Sequence, residues 1–100
     1  MQLDGKVAIV TGAASGLGRA SCIALAQAGA RIAALDRDEA KLADVCRELG
    51  GDALGRVVDV ADEASVSAAI DAVVAAFGAV HIAVNCAGVA DASKTVSSKG

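Results

Sequence analysis

The run Thr11-Gly12-Ala13-Ala14-Ser15-Gly16-Leu17-Gly18 has the residue types that a pyrophosphate needs. Gly12 lets the chain turn sharply, Gly16 lets backbone approach an anion, and Gly18 lets a following helix lie close to the preceding strand. The N–H groups that open that helix point at the phosphates, and the helix-end field contributes up to about 2 kcal/mol in a partly buried setting. Glycine spacing alone also suits a purely structural turn, so the setting between a buried strand and a helix is what gives the motif meaning. A P-loop is excluded, because Arg19-Ala20 stands where Lys and Ser or Thr would be.

Asp36 lies eighteen residues beyond Gly18, at the end of a predicted strand. A carboxylate there accepts hydrogen bonds from the ribose hydroxyls of an adenosine and repels a 2′-phosphate. A helix N-terminal acid is the plainer reading, and Arg37 is a discordant neighbour, since a cation would pair with that phosphate. Asp36 ends the strand and so faces the crevice. Asp59-Val60 holds the equivalent place after a third strand, where it can address an adenine ring; an acid that merely leads into a helix is the equal alternative. Asn85-Cys86-Ala87-Gly88 follows a fourth strand, and its small residues let backbone approach a ligand while Asn85 can bond across neighbouring strand ends.

These positions need a scaffold, and the hydrophobic pattern supplies one. Lys6 to Thr11 is an almost continuous apolar run, the mark of a strand covered on both faces. The glycine turn opens a helix to about Ala28, stopped by Gly29, and Arg31 to Asp36 is a second buried strand. Asp38 caps a helix over Glu39 to Leu49, with Leu42, Val45, Cys46 and Leu49 as its apolar stripe and Gly50-Gly51 as its end. Ala53 to Asp59 contains a third strand ending in Val57-Val58. Asp62 caps a helix with the core stripe Val66, Ile70, Val73 and Phe77, terminated by Gly78. Val80 to Val84 is the fourth strand, and after Gly88 the periodicity disappears. Alternation of this kind predicts an α/β fold: a partial Rossmann-type doubly wound parallel sheet, strand order 3-2-1-4, with three crossover helices. Every candidate residue then falls at the carboxyl end of a strand, where such sheets bind ligands.

Composition sets the outer bounds. Of 100 residues, 55% are hydrophobic and 21% charged, as in a soluble domain, and Phe77 is the single aromatic. A core of small and branched aliphatics predicts marginal stability for the chain alone. The formal net charge of −3 with no basic cluster argues against nucleic acid. No leader or membrane-spanning run is visible. Cys22, Cys46 and Cys86 are widely spaced and form no metal pattern, which fits reduced thiols in a cytoplasmic protein. His81 opens the fourth strand and reads as a surface residue.

Taken in order, the T-G-x-x-x-G-x-G turn, the Asp-Val after strand 3 and the N-x-A-G after strand 4 resemble the short-chain dehydrogenase/reductase family over essentially the whole chain. The resemblance implies that Ser15, Leu17, Asp36, Asp59, Val60 and Cys86 contact NAD, and that Gly12, Gly16 and Gly18 line the pyrophosphate turn. The family usually carries a second Asn where Cys86 stands; a backbone contact survives that change. The segment Asn85 to Thr95 is similar to type-2 3-hydroxyacyl-CoA dehydrogenases, which also act on hydroxysteroids. The family's catalytic Ser and Y-x-x-x-K have no counterpart here, for the chain contains no Tyr. Residues 1–100 are therefore expected to form the N-terminal part of one NAD-binding domain, cut before the catalytic segment and inactive alone. The implied parent is a homo-oligomeric NAD-dependent oxidoreductase of a small secondary alcohol or its ketone. A non-catalytic NAD-binding module is the first alternative. A methyltransferase using S-adenosylmethionine is the second, although its turn is usually a tighter G-x-G-x-G.

Overall fold

The computed structural model describes residues 3–50, 53–59 and 61–86. Its centre is β1 (Val7–Thr11), whose side chains alternate between two separate cores. Ala8 and Val10 point to one face with Ile32 and Ala34, and Val7 and Ile9 point to the other with Ala33 and Leu35. This is why the strand reads as an unbroken apolar run: with both faces covered, neither parity can be polar.

β1 pairs in parallel with β2 (Arg31–Asp36) and with β4 (Ile82–Asn85), and β2 pairs with β3 (Leu54–Val57). The strand order is β3-β2-β1-β4, as expected. Helices α1 (Gly16–Gln27) and α2 (Glu39–Leu49) cover one face through Cys22, Leu42 and Val45. The other face is covered by α3 (Glu63–Phe77) through Ala69 and Val73.

The helix boundaries have local causes. The Asp38 carboxylate accepts from the Lys41 amide at 3.1 Å, and Asp62 accepts from Ala64 at 3.0 Å, so each acid satisfies a donor that helix geometry orphans. Gly78 ends α3 in the left-handed region at φ 88°, where a side chain would be strained.

Three expectations need correction. The fourth strand starts at Ile82, not Val80, because register places Ala8 opposite Ile82; Val80 turns instead toward the α3 core. The third strand is short, and Val57 is 53% exposed, since β3 lies at the sheet edge; Val58 is buried beneath α3. On α3 the residue seated on the sheet is Ala69, while Ile70 is 39% exposed at a cleft against β4. A close-fitting helix presents its small residue to the sheet and its bulky neighbour to the side. Phe77 is only partly buried, and the Arg31 guanidinium lies 5.0 Å from its ring centre. Among the described residues no helix is long and apolar enough to cross a membrane.

Candidate functional site

The carboxyl ends of all four strands meet along one edge of the sheet, and backbone bonds hold them there. Gly12 leaves β1 at φ 69°, a conformation that disfavours any side chain. The Ala13 amide donates to Leu35 O at 3.0 Å, and the Ala14 amide donates to Asp36 Oδ2 at 3.0 Å. The glycine turn is therefore fastened to the end of β2 at two successive residues. The second Asp36 oxygen, Oδ1, accepts from the Asp38 amide at 2.9 Å. A carboxylate held on both oxygens is pre-oriented, and each oxygen retains a further lone pair for an incoming hydroxyl.

Ser15 has a structural role that its motif position did not disclose. Its hydroxyl donates to Gly12 O at 2.7 Å and accepts from the Gly18 amide at 3.0 Å, capping α1. That leaves Gly16 and Leu17 as the opening amides with no intrahelical acceptor. Leu17 stands 64% exposed beside them, and nothing lies within 4 Å of where a Cβ on Gly16 would be. At Gly18 the reverse holds: a Cβ would overlap the Gly12 carbonyl and sit 2.9 Å from Ala13 Cα. Close approach of helix to strand is thus a property of the structure.

The other ends converge on the same edge. The Val58 amide donates to Asp36 O at 3.0 Å, so the chain leaves β3 toward Asp59 beside the end of β2. Asp59 is exposed, and its Oδ1 accepts from the Ala61 amide at 3.0 Å in a local turn, so it shapes the lead into α3 without capping it. On the opposite side, Thr11 Oγ1 donates to Asn85 Oδ1 at 2.9 Å, and the Cys86 amide donates to Thr11 O at 2.9 Å. The expected bond across neighbouring strand ends is present, and Thr11 is its other half. Cys86 is buried, with its sulfur 3.9 Å from Ser21 Oγ, so its side chain belongs to the core beneath α1. Val60, Ala87 and Gly88 lie outside the described residues.

All three cysteines are free. Burial pushes the Cys22 thiol up to about 12 and raises that of Cys46 as well, so both stay protonated and unreactive at neutral pH. His81 is exposed at the far end of β4, as expected, yet its Nδ1 accepts from the Val7 amide at 3.0 Å. One further feature was invisible to periodicity. Arg19 on α1 donates from Nε and Nη2 to the two oxygens of Glu48 on α2, at 2.6 and 2.7 Å.

Residues 6–99 match the short chain dehydrogenase family. The chain belongs to that family. It is 55% identical over 92 residues to a D-threitol dehydrogenase of Mycolicibacterium smegmatis, covering 89% of this chain and 35% of that protein. A 3-hydroxyacyl-CoA dehydrogenase type-2 of Drosophila melanogaster is 45% identical over 93 residues, covering 93% of this chain and 36% of the relative. Among solved structures, a 3-ketoacyl-(acyl-carrier-protein) reductase from Brucella melitensis complexed with NADH superposes with a TM-score of 0.79 at 41% identity. That match covers 82% of this chain and 34% of the other. This short-chain dehydrogenase sequence thus spans about a third of the length of the relatives it matches.

Proposed function

We propose that residues 1–100 form the N-terminal part of an NAD-binding domain and supply the adenosine and pyrophosphate half of its crevice. The observation that carries this reading is the pre-oriented Asp36 carboxylate, fastened to the glycine turn through Ala14. The residues present fit the cofactor: the Gly12–Gly18 approach leaves no room for a Cβ, and the free amides of Gly16 and Leu17 face the side where phosphates would lie. Asp36 would take the ribose hydroxyls, Asp59 and Val60 the adenine, and the stretch Asn85 to Gly88 would approach the cofactor through its backbone.

The activity we propose for the protein is oxidation of a secondary alcohol, or reduction of its ketone, with NAD as the hydride carrier. Two relatives carry the names D-threitol dehydrogenase and 3-hydroxyacyl-CoA dehydrogenase, and both names fit an alcohol substrate. The residues in this chain bind and orient; with no Tyr among them, they do not provide the family's proton-transferring phenol.

Calorimetric titration of the protein with NAD tests the reading. Binding is expected, and it should be lost or sharply weakened in Gly18→Val and in Asp36→Ala. Unchanged affinity in a folded Asp36→Ala protein would overturn the assignment.

A further inference from the structure

The Arg19–Glu48 pair joins α1 to α2 beside the glycine turn, and its location suggests more than a mechanical tie. A pocket of about 280 Å³ is lined by Ala14, Arg19, Lys41, Asp44, Val45 and Glu48. Ala14 is the residue whose amide holds Asp36 Oδ2, so the pocket adjoins the carboxylate expected to meet the adenosine ribose. A 2′-phosphate on that ribose would have to be accommodated between Asp36 and this pocket. It would need cations, and the pocket contains two, Arg19 and Lys41.

Arg19 is the better phosphate ligand of the two, because a guanidinium presents a planar fork that matches two phosphate oxygens. Glu48 occupies one edge of that fork: Nε and Nη2, the side-on edge of the guanidinium, each donate to its carboxylate. The same hydrogen bond holds the Glu48 carboxyl below its ordinary value, so it is ionised at neutral pH. The other acid of the pocket, Asp44, is paired differently, with Arg47 at 3.0 Å, and does not restrain Arg19.

We infer that Glu48 is a second determinant of cofactor choice, which engages Arg19 within the pocket beside Asp36 and so competes with a 2′-phosphate for that guanidinium. The inference rests on the NAD-binding reading and deepens it: Asp36 repels the phosphate directly, and Glu48 withholds the residue that would attract it. Cofactor preference is then set jointly by the end of β2 and by the last turn of α2.

The test is calorimetric titration of the protein, as it is expressed, with NAD and with NADP. Glu48→Gln should raise NADP affinity by about three- to fivefold, the yield of one freed, solvent-screened guanidinium contact, with NAD affinity unchanged within about twofold. Asp44→Asn removes an equal charge from the same pocket without freeing Arg19, and should leave the ratio unchanged within about twofold. The gain should vanish in Glu48→Gln/Arg19→Gln. Arg19→Gln alone should give no gain in NADP affinity, and Glu48→Ala, a second way to free Arg19, should reproduce the gain if Glu48→Gln folds poorly. Equal gains from Glu48→Gln and Asp44→Asn, or a gain that survives loss of Arg19, would each overturn the inference. Those results differ from failure of the underlying reading, in which the wild-type protein binds neither NAD nor NADP.

Discussion

Asp36 Oδ2 lies 3.0 Å from the Ala14 amide nitrogen, so the acid that ends the second strand is locked to the middle of the glycine turn. That carboxylate braces the turn, and in the proposed function it would also meet the ribose. Replacing Asp36 with Ala should weaken NAD binding by about tenfold or more, the worth of charge-assisted bonds to the hydroxyls. It should also relax the bias against NADP. Equal affinity for both cofactors in the unaltered protein would instead show that Arg37 governs the choice.

Gly18→Ala is expected to destabilise the protein by about 1–3 kcal/mol, because the added methyl collides with backbone at Gly12 and Ala13 and no flexible side chain can yield. Denaturant midpoints measure this. Gly16→Ala meets nothing within 4 Å and should fold normally, so any loss of NAD affinity there reports on space needed by the ligand.

Ser15→Ala should cost about 1 kcal/mol through loss of the α1 cap. The urea midpoint should fall, and Ser15→Asp, which can accept from the same Gly18 amide, should restore most of it. A variant that loses NAD affinity with no change in midpoint would assign the hydroxyl to the ligand and not to the helix.

His81→Leu removes the acceptor of the Val7 amide and leaves that donor unpaired at the start of β1, an expected loss of about 1–2 kcal/mol. NAD affinity should be unaffected, since His81 lies at the end of the sheet opposite the glycine turn. Hydrogen exchange at Val7 provides a direct readout.

Cys22 gives a pH dependence with a definite sign. Its folded thiol sits near 12, above the usual 9.0, so the folded state binds its proton more tightly than the unfolded chain does. The resulting stability is fully present below about 9 and is lost progressively as pH rises from there toward 12. Unfolding midpoints measured across that range should fall more steeply for the wild type than for Cys22→Ala. At neutral pH the native thiol should resist alkylation until the protein unfolds.

How far the residues alone determine this protein can be judged element by element. The second strand and the second helix are legible to the residue, because their signals are local. Arg31 to Asp36 is a buried run with an acid at its end, and Asp38 and Leu42 to Leu49 combine a cap with an apolar stripe. The parallel order 3-2-1-4 is equally legible, since alternating strands and helices leave few handed ways to connect. The glycine turn and Asp36 could also be picked out, because their chemistry depends on residue type at a fixed spacing.

Partnership between distant residues was decided only by the tertiary structure. Register moved the start of the fourth strand by two residues, and the seat of α3 exchanged Ile70 for Ala69; neither depends on a pattern within the segment itself. The bonds Ala14 to Asp36, Thr11 to Asn85 and Arg19 to Glu48 join residues 22, 74 and 29 positions apart. Periodicity reports which face of an element is apolar. It carries no information about the polar atom that another element brings within 3 Å, and that meeting depends on how the helices settle on the sheet.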